Sequence, residues 1–150
     1  DLIKPFRHDD FNKIACPESL GFVLGSAAAT ELRKGLILIR KSGKLPNIQS
    51  NIARQTFTDY TGAKNSFEVN KALIELGDRV LVIDDWVETG GQMKGLTRLL
   101  TRRGATIAGI SVIGFNKINR TQGLQRRYKL RALIDYSAPE ARDLTRRLDL

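Results

Sequence analysis

Residues 80–92 read Val-Leu-Val-Ile-Asp-Asp-Trp-Val-Glu-Thr-Gly-Gly-Gln, and no other stretch constrains the fold as strongly. Val80 to Ile83 is an apolar run too short for a helix and β-branched enough for a buried strand. Asp84 and Asp85 end that run, and Thr89-Gly90-Gly91 opens a helical pattern. A strand feeding a helix through a glycine turn is one unit of a parallel α/β sheet. The turn's backbone N–H groups and the positive helix end can hold a phosphate. The two carboxylates stand where they can accept hydrogen bonds from sugar hydroxyls. An ordinary β–α turn with a solvated strand end is the competing reading. The order of apolar strand, acidic pair, glycine turn and helix favours the sugar-phosphate site.

The rest of the chain repeats the alternation of strand and helix. Phe11 to Cys16 is a first strand, and Ser19 to Lys34 an alanine-rich helix ended by Gly35. Leu36 to Lys41 is continuously apolar at its start, as buried parallel strands are. Residues 42–54 read as a polar loop. Thr56 to Tyr60 and Ser66 to Asn70 alternate around Thr61-Gly62-Ala63-Lys64, which predicts a hairpin acting as a flap. Gly90 to Arg103 is a helix, with Met93, Leu96 and Leu100 inward and Lys94, Arg98 and Arg102 outward. Thr106 to Phe115 is a long strand and Leu130 to Tyr136 the last one. Pro139 to Leu148 is a helix started by Ser137. With no internal repeat or linker, residues 1–150 are expected to form one domain.

Composition narrows the chemistry. The only cysteine, Cys16, excludes an internal disulfide framework and fits a reducing compartment. With His8 as the only histidine, a zinc site or a Cys–His catalytic pair is not expected. No apolar run approaches the length of a membrane span, so no membrane role is expected. The net charge of +9 suits phosphate-rich partners. Basic clusters lie at Arg126–Arg131 and at Arg142, Arg146 and Arg147. They read as solvated surface, because no RNA-recognition or helix-turn-helix pattern accompanies them. Nucleic acid is therefore a partner the sequence allows but does not favour.

The stretch 80–92 resembles the 5-phosphoribosyl 1-diphosphate (PRPP) motif of type I phosphoribosyltransferases. Gly21-Phe-Val-Leu-Gly25, Glu31-Leu32, Phe67-Glu-Val-Asn-Lys-Ala-Leu and Gly77-Asp78-Arg79 extend the likeness to the adenine branch. The run Arg40-Lys-Ser-Gly-Lys-Leu-Pro46 is its most diagnostic part. The resemblance covers about residues 11–136. It implies a central mainly parallel sheet with helices on both faces and a flexible hairpin flap. The family's N-terminal base-covering segment is read here as short or absent.

The resemblance also implies a site. Asp84 and Asp85 would face the ribose, and Asp59, in Phe57-Thr58-Asp59-Tyr60, would stand in for a flap carboxylate near the reacting nucleotide. A hairpin-turn aspartate is the plainer reading of Asp59. Glu88, Thr89, Gly90, Gly91 and Gln92 would wrap the 5′-phosphate. Glu18 and Ser19 would form the pyrophosphate loop, with Lys41 and Lys44 offsetting its charge, though Ser19 as a simple helix cap accounts for that loop equally well. The backbone at Ile39 and Arg40 would face the base. Mg²⁺ would arrive on the diphosphate, with no protein cage of its own. The implied protein is a cytoplasmic homodimer that moves ribose 5-phosphate from PRPP to a purine, adenine first, and releases pyrophosphate.

Four positions depart from the family pattern. Leu20 stands in place of an arginine, Trp86 of an aliphatic residue, Glu88 of a small one and Gln92 of Thr or Ser. Leu20, Glu88, Gln92 and the charge favour an alternative: a non-catalytic PRPP or nucleotide sensor of the same fold that regulates through nucleic acid or a partner protein. A plain RNA-binding α/β domain is a third class.

Overall fold

The computed structural model describes residues 1–45 and 51–137. The helix expected over Pro139 to Leu148 and the trio Arg142, Arg146 and Arg147 lie outside the described residues, which end at Ser137. Seven strands, β1 (Lys13–Pro17), β2 (Gly35–Lys41), β3 (Ile52–Thr58), β4 (Lys64–Asn70), β5 (Arg79–Val87), β6 (Thr106–Phe115) and β7 (Leu130–Asp135), form one sheet. Their order is β3-β4-β2-β1-β5-β6-β7. The five strands from β2 to β7 run parallel, and the β3–β4 hairpin joins the β2 edge antiparallel. The sheet is therefore the mainly parallel one expected.

Helices cover both faces. Helix α1 (Leu20–Leu32) packs on one side, where Ala28 and Ala29 meet Ile14, Leu81 and Ile83. Helix α2 (Gly91–Arg102) packs on the other, with Met93, Leu96, Leu99 and Leu100 against Val80, Val82, Ile110 and Val112. The inward stripe on α2 is the one its 3.6-residue spacing predicts. Helix α3 (Gln122–Arg127) joins the α2 side through Leu124. It was not anticipated: six residues with one buried apolar side chain carry no readable period.

Several boundaries differ from expectation, each because of a distant partner. Helix α1 stops at Leu32 with Arg33 in the left-handed region (φ 52°), so Gly35 opens β2 instead of capping the helix. Only one face of β2 is buried, through Ile37 and Ile39. The loop expected over 42–54 gives way to β3 at Ile52, which pairs with Asn70. The hairpin is no free flap. Glu68 and Phe67 pair with Arg40 and Lys41 of β2. Phe57 and Phe67 stack with ring centroids 4.5 Å apart and belong to the α2-side core. Glu68, almost wholly buried, accepts hydrogen bonds from Arg54, Ser42 Oγ (3.0 Å) and Gly43 N–H (3.0 Å), tying the hairpin to the turn after β2.

The start of the chain, for which no element was expected, is structural. A short 3₁₀ turn (Lys4–Phe6) places Phe6, fully buried, over the gap left by Gly109 of β6. Burying one such ring is worth about 1.5–3 kcal/mol. Phe6, between Pro5 and Arg7, belongs to no period, so the sequence hides it.

Candidate functional site

In parallel α/β sheets, ligand clefts open beyond the carboxyl ends of strands where the strand order reverses. Here the order reverses between β1 and β5, because β2 lies to one side of β1 and β6 to the other side of β5. A cleft of about 700 Å³ opens at that point. Its walls come from Glu18, Ser19 and Leu20 after β1, from residues 85–90 at the end of β5, and from Asp59 and Tyr60 on the hairpin tip.

The acidic pair does not end β5. The strand continues through Val87, because β6 is long enough to pair Asp84 with Val112, Trp86 with Gly114 and Val87 with Phe115. The alternation of a strand then sends the two acids to opposite faces. Asp85 lines the cleft, whereas Asp84 is only 2% exposed and does not. Asp84 lies beneath the start of both helices. Gln92 Nε2 donates to it at 3.2 Å, and the Asp85 N–H at 2.9 Å. A side chain at Gly21 would press on Pro17 and on Asp84. Burial, and then the Asp85 carboxylate, raise the Asp84 carboxyl well above the usual carboxylate range.

The glycine turn is tight. Gly90 has φ 78°, and Gly91 has no room for a Cβ because the Thr58 carbonyl of β3 lies against it. Thr89, Gly90, Glu88 and Gln92 line the cleft, and Gly91 does not. The Gln92 amide, expected to be free for a phosphate, is turned to Asp84. Glu88 acts on Tyr136 at the end of β7. Burial and the Glu88 carboxylate both push the Tyr136 phenol upward. That phenol oxygen is buried with no hydrogen-bond partner among the described residues. Trp86, 43% exposed, fills the space a side chain at Gly114 would take and meets Tyr136 edge-on at 5.1 Å.

Glu18 organises the opposite wall. Its carboxylate takes Lys44 Nζ at 2.5 Å, the Lys41 N–H at 3.1 Å and Arg40 Nε at 3.4 Å. The Lys44 bond is the main reason its carboxyl lies below the ordinary value. Lys41 therefore lines the cleft, but Lys44 is drawn to Glu18 and does not. Ser19 occupies the N-cap position of α1 without a side-chain cap bond, so the simple capping reading of its hydroxyl does not hold. Ile39 is fully buried, its carbonyl accepts the Glu18 N–H at 3.0 Å, and neither it nor Arg40 lines the cleft.

Asp59 lines the cleft yet is spent on its own turn. Its carboxylate accepts from Thr61 Oγ1 (2.6 Å), Thr61 N–H (2.9 Å), Ala63 N–H (3.1 Å) and Asn65 Nδ2 (2.6 Å). The hairpin-turn reading of this residue is the one built. Cys16 is fully buried under Gly25, and burial pushes its thiol up to about 12, so it is a packing residue. Sequence reasoning missed Tyr60, Met93 and Tyr136 as cleft residues. Tyr136 had a usable signal, since it directly follows a parallel strand on the carboxyl side.

Comparison with known proteins gives a consistent picture. A family model for the phosphoribosyl transferase domain matches residues 6–133. The chain is 35% identical over 137 residues to an adenine phosphoribosyltransferase of Kosmotoga olearia, covering 91% of this chain and 76% of that one. It superposes on the crystal structure of adenine phosphoribosyltransferase from Thermoanaerobacter pseudethanolicus with a TM-score of 0.79 at 28% identity, covering 89% of this chain and 75% of the other. The Trypanosoma brucei enzyme, solved with AMP, pyrophosphate and ribose-5-phosphate, superposes with a TM-score of 0.76 at 25% identity, covering 89% of this chain and 61% of that one.

Proposed function

The chain belongs to the phosphoribosyl transferase domain family, and from that premise we propose that it transfers ribose 5-phosphate from PRPP to adenine and releases pyrophosphate. The observation that carries this reading is the cleft at the strand-order reversal, which joins Asp85 to a glycine turn at a helix N-terminus. The kinship to adenine phosphoribosyltransferases supports the choice of base. Residues 1–150 are read as one phosphoribosyltransferase-like domain.

In this reading the N–H groups of Thr89 to Gln92 hold the 5′-phosphate. Asp85 accepts from the ribose hydroxyls, and its charge suits the positive ring of the transition state. Asp84 sets Gln92 and the turn in place from below. The Glu18–Ser19 loop and Lys41 receive the pyrophosphate. The exposed faces of Trp86 and Tyr60 suit a flat purine better than the withdrawn Ile39 and Arg40. Asp59 shapes the hairpin tip over the reaction. The base nitrogen attacks the anomeric carbon as the bond to pyrophosphate breaks, and positioning supplies much of the rate. Mg²⁺ would come in on the diphosphate with most of its waters kept and would offset the charge that Lys41 and the Glu18–Ser19 loop face. A cytoplasmic homodimer is the proposed form; apolar Val23 on α1, 67% exposed, supports the dimer.

One observation favours the second reading, a PRPP or nucleotide sensor. Leu20 replaces a cation in the pyrophosphate loop, and Glu18 already holds Lys44 and Arg40. Incubation with PRPP, Mg²⁺ and each nucleobase in turn separates the two. Pyrophosphate release with adenine is expected; PRPP binding without release under any base would establish the sensor.

Glu88 and Tyr136 both line the cleft and the Glu88 carboxylate raises the Tyr136 phenol, so Glu88 is expected to leave the phosphate largely undisturbed. Glu88→Ala should change PRPP affinity less than about twofold, with little dependence on salt. It should also lower the Tyr136 phenol's titration point, read by ultraviolet difference spectra. A salt-dependent tightening of PRPP binding would instead put Glu88 against the phosphate.

A further inference from the structure

Between Glu88 and Asp135 the sequence holds no acidic residue and ten Lys and Arg. The rest of the chain carries the remaining 15 basic residues against 16 acidic ones, so the whole +9 excess resides in this stretch. A solvated face ordinarily mixes both signs. Among the described residues, only Lys129 of the ten meets a carboxylate, Asp9 at 2.6 Å.

Folding gathers half of these cations on one side of the sheet. Lys94 and Arg98 on α2 face Arg127 on α3 across a groove of about 230 Å³, with Thr101 and Tyr128 in its walls. Lys94 Nζ donates to the Arg120 carbonyl at 2.6 Å, which brings the loop before α3 alongside. Arg126 extends the basic surface along α3. The Arg127 guanidinium sits 5.5 Å from the Tyr128 ring centre. No residue lines both this groove and the PRPP cleft.

We propose that the α2–α3 face binds the phosphodiester backbone of nucleic acid. A small anion would call for a closed ring of buried donors. Here Arg98, Arg126 and Arg127 are exposed and spread past the groove, which suits a long polyanion contacted at several phosphates. The cations contact phosphates and not base edges, so the binding is sequence-tolerant and salt-sensitive. This surface is independent of the transfer chemistry.

Fluorescence anisotropy with a labelled single-stranded RNA of mixed sequence, and in parallel a duplex DNA, tests the proposal on the full chain. Five phosphate contacts to a single strand predict a slope of about −3.5 in log affinity against log salt. The triple variant Arg98→Glu, Arg126→Glu, Arg127→Glu should flatten it to about −1.4 and weaken binding about 100-fold at 0.1 M salt. A control of equal charge on the opposite face, Lys4→Glu, Arg33→Glu, Lys34→Glu, should lose less than about fivefold, because exposed charges beyond a Debye length are screened. The double variant Arg98→Gln, Arg127→Gln, which reverses no charge, should fall between parent and triple. All variants should release pyrophosphate from PRPP as the parent does, which keeps this test separate from the catalytic reading. Binding of either nucleic acid with this pattern supports the proposal. It is overturned by no binding, by equal losses in the control, or by pyrophosphate displacing the RNA at matched phosphate concentration.

Discussion

Gly91→Val is expected to abolish PRPP binding in a chain that still folds. The obstacle is backbone: a Cβ at Gly91 collides with the Thr58 carbonyl, and Thr58 is held in the hairpin by its pairing with Lys64. Neither partner can rotate away, so the turn must open or the end of β3 must lift. Overpacking of this kind costs about 1–3 kcal/mol. Either response also disturbs the N–H groups proposed to hold the phosphate. Gly90→Ala should act more mildly. Its φ of 78° imposes about 1–2 kcal/mol on an L-residue, but the nearest atoms are the ends of Leu124 and Thr121 side chains at 3.3 Å. Gly123→Ala is the control, with ordinary backbone and open space around it, and should be neutral or stabilising. Calorimetric titration of PRPP with thermal melts of the three variants gives the ranking. Parent-like affinity in a folded Gly91→Val protein would remove the glycine turn from the site.

The acidic pair should divide into one residue of function and one of structure. Asp85→Asn removes the carboxylate that opens on the cleft. Losing an acceptor for a buried sugar hydroxyl costs about 1–3 kcal/mol, and turnover should fall about 10- to 100-fold. Asp84→Asn should lose less turnover and gain stability. The Asp84 carboxyl is raised by burial above its ordinary value of 3.8, so its protonated form favours the folded chain. That contribution is complete below the unfolded value and is lost as pH climbs toward the raised one. Asparagine does not ionise, so the variant should melt higher than the parent at neutral pH and equally at pH below about 3.8. Glu68 runs the other way. Burial opposes its ionisation, but Arg54, Ser42 and Gly43 hold its carboxyl below 4.5. Its stabilisation is present above that value and lost on acidification in parent and variant alike. Thermal melts across pH, beside turnover at one pH, would show the division. Equal turnover losses without any gain in stability would place both acids on the ribose.

The stretch 80–92 carried its meaning locally. A β-branched run, an acidic pair and a glycine turn are adjacent in sequence, and their chemistry depends on that adjacency. The same holds for α2, whose buried stripe is a period, and for β6, which was read to its last residue. The family resemblance lay in such runs, so the parallel sheet and the glycine turn were legible before any coordinate.

What tertiary structure decided is which neighbour each group met. The acids of 84 and 85 read as a pair facing one sugar, but β6 extends the strand beneath them and its pleat separates them. Lys44 read as a cation for the pyrophosphate, but Glu18, more than 20 positions away, engages it and takes Arg40 as well. Asp59 had two readings, a flap carboxylate and a hairpin-turn aspartate, and its own turn closes around it. The absence of acid from 89 to 134 was written in the sequence, whereas the face it makes was not. Composition counts charges along a chain; only packing α3 against α2 brings Lys94, Arg98 and Arg127 to one groove. The sequence by itself determined the elements that carry a local period, α2, β5 and β6 among them, and the chemistry within each one. Long-range pairing, which no local period encodes, decided which side chains reach the cleft and which are spent on one another.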